Sequence, residues 1–384
     1  MTDLENFIVA QGLGRSDVAS LLDGVAQRLV SEGVPLRRAY IALPTVNPTV
    51  RVFTHAWTPA TGARIEGVSH DREQAAFEDS PFGFMLREGL TGHHWLLEGD
   101  AEPPFAIFNE LKAQGATDYL ARLVSYDAAQ APALRGMAAS FSSWRPGGLC
   151  ETEIARIDSL VPLLGLAAYR MALFDLTLSL LDTYVGFSAG RRVLSGEIRR
   201  GTGQSLRAAL LVADLRGFTT VADTAGAGLI ARLDEHLEAM ASPITSHGGE
   251  VLKFIGDGLL AAFPITQTRS EGQACCAAIE AAREALLRNK AVNESRPGEP
   301  SLPLDIALHC GDVYYGNIGS ANRLDFTVIG PAVNEASRIE ALCMPLDCSL
   351  LMSAAVAAAC PYPIRSLGHH ALRGVAEERE LFTL

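Results

Sequence analysis

The stretch that most restricts the possible folds is residues 248–263, with the sequence GGEVLKFIGDGLLAAF. Its two apolar segments, EVLKFI and GLLAAF, have the pattern of β-strands, and only Gly256 and Asp257 separate them. Because so short a connection holds consecutive strands antiparallel, the stretch predicts a β-hairpin with Asp257 in its turn. A fold that contains this hairpin must include an antiparallel sheet.

A second carboxylate is expected at a similar position. LLVADLRGFT, residues 210–219, predicts a buried strand that ends at Asp214, just before the start of a helix. Either aspartate alone would be typical of a helix cap or a turn. Together, at strand ends, they predict an oxygen-rich site for a divalent cation. The backbone N–H groups of Gly217, Phe218 and Thr219 predict an anion site beside it, and this combination favours a polyphosphate ligand.

Length, charge and hydropathy exclude several classes of protein. The chain has 384 residues, which predicts two or three domains, and its net charge of −12 shows no basic footprint for nucleic acid. The N-terminus carries acids where a signal peptide would carry Lys or Arg. Arg170, Asp175 and Asp182 interrupt the longest apolar region, so no membrane span and a cytoplasmic location are expected.

Residues 1–152 show mixed helix and strand patterns. A helical segment is followed by segments with strand composition, namely RAYIAL, TVRVFTHAW, YLARLV and MAASFSSW. With the long helix that follows, this outline resembles the GAF and PAS-like α/β sensor domains, which implies an unknown small-molecule or other signal. The pair His93-His94 suits a metal or a chromophore, but a loop position without such a role is favoured, since no other ligand cluster accompanies it.

Residues 153–204 are predicted to form a coiled-coil helix and a linker. Apolar residues follow one another at alternating spacings of four and three, the pattern of a parallel two-stranded coiled coil: Leu160, Leu164, Ala167, Met171, Phe174, Leu178, Leu181 and Val185. The coiled coil, which would make the protein a homodimer, is favoured over a helix packed on its own domain. The following YVGFSAGRRVLSGEIRRG is interpreted as a solvated linker or as a hinge.

From Leu206 onward, the order of strand and helix patterns predicts an α+β domain with helices against an antiparallel sheet. The helical stretch after Asp214 is expected to break near Gly226. The segment LPLDIALHCGDVYYGNIG is expected to form two strands joined by Gly311 and Asp312.

Five segments of this region resemble the class III nucleotidyl cyclases. In chain order they are LLVADLRGFT, GGEVLKFIGDGLLAAF, ALHCGDVYYGNIG, DFTVIGPAVNEASRIE and HHALRGVAEERELFTL. The resemblance implies a catalytic domain of ferredoxin-like derivation over residues 205–384. The preceding glycine- and arginine-rich linker resembles the transducing segment of bacterial cyclases.

The resemblance implies a metal and phosphate site. Asp214 and Asp257, with the carbonyl of Leu215, match the ligands of two Mg²⁺ or Mn²⁺ ions in each active site. Gly217 begins the segment that would receive phosphate. Arg373 aligns with a residue that meets the terminal phosphates.

The resemblance also implies groups that recognise the nucleotide. Lys253 and Thr327 match the two residues that read the purine, Asn334 the residue that orients the ribose, and Arg338 the arginine that stabilises the transition state. Pro331 departs from the Asp or Asn of many members, but proline is compatible with a helix start.

The implied function is conversion of ATP to 3′,5′-cyclic AMP and pyrophosphate at sites shared by a homodimer, under control of the N-terminal domain. A lysine donor suits adenine N1, and a threonine oxygen can accept from adenine N6, which favours ATP over GTP. The alternatives are a guanylate cyclase and a catalytically silent dimeric regulator that binds a ligand. The usable side chains at all the motif positions favour an enzyme.

Overall fold

The computed structural model describes residues 2–14, 16–45, 50–69, 77–99, 104–126, 136–222, 228–320 and 324–384, except for the side chains at positions 187 and 188. The chain divides into two compact units, residues 1–180 and 181–384. Each unit contains helices and a sheet, as the α+β prediction required.

Among its described residues, the first unit contains a six-stranded antiparallel sheet of order β3-β2-β1-β6-β5-β4. The strands are β1 Leu36–Pro44, β2 Val50–Thr58, β3 Gly62–Ser69, β4 Gly92–Leu96, β5 Asp118–Ser125 and β6 Gly136–Ser143. The helices are α1 Asp3–Leu13, α2 Val18–Ser31, α3 Pro81–Arg87, α4 Ala106–Ala113 and the long α5 Glu151–Tyr184. The four predicted strands are confirmed as β1, β2, β5 and β6.

His93 and His94 lie in β4, so their predicted loop position is wrong. The reason is pairing with β5, which places His94 opposite Leu120. His94 Nε2 lies 2.8 Å from Oδ2 of the fully buried Asp118, so this histidine belongs to the hydrogen bonding of its own sheet.

Helix α5 begins as part of the first unit's core. Leu160, Leu164, Ala167 and Met171 are buried with residues of α1, α2 and the sheet. The coiled-coil prediction is therefore wrong for these positions, because their spacing reflects packing within the chain. The later positions, beginning with Phe174, which is 51% exposed, stay a prediction.

Helix α5 is also the one helix among the described residues that is long and apolar enough to cross a membrane by length and composition. Its most apolar window has a mean hydropathy of 1.4, and 44% of that window is buried. A core helix of a soluble protein meets the same criteria, so this is weak evidence for a span.

In the second unit, the described residues form an eight-stranded sheet of order β13-β14-β12-β10-β7-β9-β8, with β11 paired to β10. The strands are β7 Gly203–Leu215, β8 Glu250–Ile255, β9 Gly258–Pro264, β10 Leu304–Gly319, β11 Leu324–Ile329, β12 Leu350–Ser353, β13 Arg365–His370 and β14 Arg379–Thr383. The helices are α6 Phe187–Leu194, α7 Phe218–Ala222, α8 Leu229–Ser246, α9 Glu271–Glu294, α10 Pro331–Glu340 and α11 Ala354–Ala357. The hairpin of β8 and β9 is confirmed, whereas the expected break near Gly226 lies outside the described residues.

Strand β10 corrects the prediction of two strands joined at Gly311 and Asp312. It runs unbroken for 16 residues, because it pairs with β7 from Leu304 to Gly316. A Cβ added to Gly311 would lie only 2.7 Å from the Cβ of Ala332 in α10. This glycine therefore allows a helix to approach the strand closely, and it does not form a turn.

The linker contains helix α6, which packs on β10 and β11. Its Ala189 is buried in their core, and the Arg192 guanidinium lies 5.2 Å from the ring centroid of Tyr315 and 5.8 Å from that of Phe326. The Asn317 side-chain amide also donates to the carbonyl of Glu197. The interpretation as a solvated linker is wrong for these residues, since the segment forms part of the second unit.

Candidate active site

The ends of β7 and the β8–β9 hairpin bring Asp214 and Asp257 to the same place. Pairing between β7 and β9 reaches Ala213 and Leu259, which leaves the two aspartates at the end of the ladder. A Cβ added to Gly258 would lie 2.6 Å from Oδ1 of Asp214. The residue after Asp257 thus lies directly against the Asp214 carboxylate, in a position where only glycine fits.

The carboxylates at this end of the sheet destabilise one another. Burial first, and then the charges of Asp257 and Asp305, raise the pKa of Asp214 to about 6, although a hydrogen bond from the Leu215 N–H opposes this shift. Burial also raises the pKa of Asp257. Asp305 is paired opposite Asp214 and accepts two bonds from Arg216, at 3.0 and 2.8 Å. Arg216 thus neutralises Asp305, and Asp214 and Asp257 are the carboxylates here that a bound cation would stabilise.

Sequence reasoning missed a further acid at this place, Glu340 at the end of α10. Burial first, and then the charges of Asp214, Asp305 and Asp257, raise the pKa of its carboxyl to about 7. No spacing rule could have found Glu340, because only the packing of α10 brings it here. Asp305 did carry a signal, since it is a single acid inside the apolar strand LDIAL.

The donor set fits a divalent cation bound through oxygen. Among the described residues, no three acidic, histidine or cysteine side chains are placed to hold a metal ion by themselves. Asp214, Asp257 and the Leu215 carbonyl would supply hard oxygen ligands, and Mg²⁺ usually completes such a site with substrate phosphates and water. The unneutralised charge of the pair supports this assignment.

Burial of the Asp214 carboxylate, together with repulsion by the neighbouring acids, predicts that Asp214→Asn stabilises the metal-free protein. The pKa of Asp214 is about 6 when folded, above the value of about 4 expected when unfolded, so the folded chain binds more protons between these values. Its contribution to stability should fall as the pH rises from about 4 to about 6. In EDTA at about pH 7.5 the variant should therefore unfold at a higher temperature than the wild type, as measured by calorimetry. Asp234→Asn, at an exposed position of α8, should change nothing, and a lower midpoint for Asp214→Asn would contradict the repulsion.

Lys253 and Thr327 lie on neighbouring elements. Strands β8 and β11 contact each other, and the Tyr315 hydroxyl donates to Glu250 at 3.4 Å. Lys253 is exposed on β8, whereas Thr327 is only 4% exposed, and its Oγ1 has no hydrogen-bond partner among the described residues. A threonine oxygen with unused hydrogen-bonding capacity is consistent with a purine reader.

Asn334 and Arg338 share one side of α10. Ala336 is buried on the opposite side, while Asn334 is exposed and Arg338 half-buried. A Cβ added to Gly374 would lie 3.6 Å from Nη2 of Arg338. The turn that carries the exposed Arg373 therefore lies beside Arg338.

Asp214 and Thr327 lie beside opposite ends of strand β10. Asp214 pairs with Asp305, whereas Thr327 pairs with Gly316, 11 residues further along the strand. At about 3.3 Å per residue, on the order of 35 Å of strand separates these positions. Arg338 is not among the described groups that shift the pKa of Asp214, whereas a guanidinium close to this carboxylate would lower it.

Comparison with known proteins identifies one matching family, described as the adenylate and guanylate cyclase catalytic domain, over residues 203–383. An adenylate cyclase of Anabaena cylindrica is 32% identical over 165 residues, which are 41% of this chain and 32% of that protein. Adenylate cyclase 1 of Rhizobium meliloti is 33% identical over 152 residues, which are 38% of this chain and 22% of that protein. The chain thus spans a third or less of these relatives' lengths. The match to the structure of a bacterial light-regulated adenylyl cyclase covers 65% of this chain and 83% of that protein's chain, with 20% sequence identity and a TM-score of 0.50. At this identity, the match shows a similar fold alone.

Proposed function

From the premise that residues 203–383 form an adenylate and guanylate cyclase catalytic domain, we propose that this chain converts ATP to 3′,5′-cyclic AMP and pyrophosphate. The observation that carries the proposal is the approach of Gly258 to Asp214, which places two mutually repelling carboxylates at one end of the sheet. The test is incubation of the purified chain with ATP and either Mg²⁺ or Mn²⁺, with products separated by chromatography. Cyclic AMP and pyrophosphate in equal amounts are expected, and absence of both with either cation would contradict the proposal.

The reaction joins the ATP ribose to its own α-phosphate. The 3′-hydroxyl loses its proton to solvent water, its oxygen forms a bond to the α-phosphorus, the bond from that phosphorus to the bridging oxygen of the β-phosphate breaks, and pyrophosphate leaves with the electron pair. Two divalent cations at Asp214, Asp257 and the Leu215 carbonyl would supply Lewis-acid chemistry, which acidifies the 3′-hydroxyl and neutralises the triphosphate. Asn334 orients the ribose, and the guanidinium of Arg338 donates to the α-phosphoryl oxygens as negative charge builds there.

Further groups of the chain position the phosphates and the base. The backbone N–H groups of the segment Gly217 to Thr219, where α7 begins, donate hydrogen bonds to phosphate oxygens of ATP. Gly217 has a φ of +79°, and a Cβ added there would meet nothing within 4 Å, which leaves room for a ligand. Arg373 lies on the turn beside Arg338 and binds the terminal phosphates.

The active site is shared between two copies of the chain. Support comes from β10, which separates Asp214 from Thr327 in the register, and from α10, which presents Asn334 and Arg338 away from its own core. One chain supplies the carboxylates and its partner supplies the purine, ribose and transition-state groups. A symmetric homodimer then has two equivalent sites.

The first unit acts as a GAF/PAS-like sensor that controls the rate of this cytoplasmic enzyme. Support for coupling comes from α5, which begins in the first unit's core, and from α6, which packs against the strands that carry Thr327. Phe174, which is exposed, and the half-buried Leu178 and Leu181 of α5 are suited to a coiled coil between the two copies.

The base-reading groups distinguish ATP from GTP. Lys253→Glu combined with Thr327→Cys should lower the ratio of kcat/KM for ATP to that for GTP by about 100-fold, because adenine then loses its donor to N1 and its acceptor from N6. Rates with each nucleotide measure this ratio. Lys290→Glu, an equal charge change at an exposed position of α9, should leave it unchanged.

An unchanged ratio in the double variant would mean that these side chains do not read the base. A wild-type preference for GTP would instead favour a guanylate cyclase. A chain that binds ATP without turnover would favour the silent regulator.

A further inference from the structure

One face of the sheet in the first unit carries a compact block of polar side chains. In the pairing of β1 with β6, Arg38 lies opposite Ser142 and Tyr40 lies opposite Ser140. Directly opposed residues of an antiparallel pair project to the same side of a sheet, so all four share one face. Their neighbours, such as Ile41 and Phe141, belong to the apolar core on the other face.

The Arg38 guanidinium in this block lacks an anionic partner. Its Nη1 lies 3.5 Å from Oγ of Ser140, and its central carbon lies 4.5 Å from the ring centroid of Tyr40. Within the described residues, Arg38 forms no ion pair with an aspartate or glutamate. Buried or half-buried charges in proteins are normally paired, so this arrangement is incomplete without an anion.

A hydroxyl beside Arg38 is incomplete in the same way. Ser142 is 1% exposed, and its Oγ has no hydrogen-bond partner among the residues that the structure describes. An unsatisfied buried hydroxyl costs about 1–3 kcal/mol, which a ligand that accepts its hydrogen bond would recover. The guanidinium can only donate, and the hydroxyl can donate as well, so acceptor oxygens placed between them would satisfy both groups.

The acid that acts on Arg38 at longer range is Glu110. Burial lowers the pKa of Arg38, while Tyr119, Tyr40 and then the charge of Glu110, which lies on α4, oppose this shift. Glu110 is exposed and forms no ion pair with Arg38 in the described part of the chain. It is the one internal candidate for a counter-ion among these groups, and a test must separate it from a ligand.

We propose that this face of the first unit binds a small oxyanion, a carboxylate or phosphate group, through Arg38 and Ser142 with Ser140 beside them. The planar guanidinium presents a fork of donors that matches two oxygens of such a group. The Tyr40 ring below the guanidinium holds it in place while the site is empty.

The test is thermal unfolding of the full chain in sodium phosphate, in sodium acetate and in sodium chloride at equal ionic strength. Phosphate or acetate should raise the midpoint of the wild type by about 5–10 °C at one hundred times the dissociation constant. The arm with the larger shift identifies the class of oxyanion. Arg38→Met should lose this shift, and Arg37→Met, at the exposed neighbouring position, should retain it.

A shift that survives in Arg38→Met would place the anion elsewhere, including the active site, and would overturn the proposal. So would the absence of any shift in the wild type. In chloride, Arg38→Met should unfold at the same or a higher temperature, because an uncompensated charge has been removed. A lower midpoint shared by Arg38→Met and Glu110→Gln would show that these residues pair with each other, which also overturns it.

Two further variants keep the test decisive if Arg38→Met does not fold. Ser142→Ala should weaken the effective oxyanion by about 10-fold in calorimetric titration, because one charge-assisted hydrogen bond is lost. Glu110→Gln should strengthen binding, since a repelling carboxylate is removed. Unchanged affinity in both variants would overturn the proposal.

Discussion

Replacing Asp214 or Asp257 with alanine should lower the rate of cyclic AMP formation at least about 1000-fold with Mg²⁺. The physical reason is that each substitution removes one of the two carboxylates that end β7 and the β8–β9 turn, and the Leu215 carbonyl alone would not hold a divalent cation. The measurement is initial rate at saturating ATP, combined with light scattering to verify the molecular mass. Asp234→Ala, on the exposed side of α8, provides a matched loss of one carboxylate and should retain full activity.

The loss of activity in these variants would not be due to unfolding. Both carboxylates have raised pKa values, so their ionised forms do not stabilise the metal-free fold. An inactive variant with wild-type mass and a thermal midpoint no lower than that of the wild type supports the metal assignment. Appreciable turnover by either alanine variant with Mg²⁺ would contradict it.

Mixing two inactive variants should restore activity to about a quarter of the wild-type value. Asp214→Ala and Arg338→Ala homodimers are each expected to be inactive, since every site lacks one essential group. In a mixed dimer, one site receives both defects and the other receives neither. With random pairing, half the dimers are mixed and half of their sites are intact, and the expected fraction follows from two-fold symmetry alone.

Co-expression with two different affinity tags, followed by purification through both, isolates the mixed dimers, which should have about half of the wild-type activity because one of their two sites is intact. Mixing Asp214→Ala with Asp257→Ala is the matched control, because both defects lie on the same half of the site. In that mixed dimer both sites remain defective, and no activity should return. If isolated Asp214→Ala/Arg338→Ala dimers are inactive, the site lies within one chain and the shared arrangement is wrong.

Local patterns were sufficient to predict the hairpin and the proximity of its aspartate to β7. A two-residue connection leaves little freedom, and a carboxylate at a strand end stays near the neighbouring strand end once the strands pair. Gly311 was misinterpreted because a glycine within a strand is equally typical of a turn and of close helix packing. The close approach of Ala332 to Gly311 shows that this glycine serves helix packing, and such a contact exists only in the folded chain.

The spacing of the apolar residues in α5 also could not predict which surface covers them. A spacing of four and three describes an apolar stripe, but not the surface that covers it, and for Leu160 to Met171 that surface is the chain's own core. Glu340 and Arg38 were not predicted because their significance depends on which charges surround them after folding. The roles of the nucleotide-binding residues came from family resemblance, and they stay predictions until the variants are assayed.

The packing of α6 also bears on how such chains recombine. Arg192 lies over the rings of Tyr315 and Phe326, which flank the paired residues Gly316 and Thr327. Ala189 of α6 is buried in the same cluster. A gene fusion that joined a foreign input domain at residue 203 would remove this helix and expose the apolar surface beneath it. A chimera that receives a foreign input domain should therefore be joined before Gly186, so that residues 186–202 stay with the strands on which α6 packs.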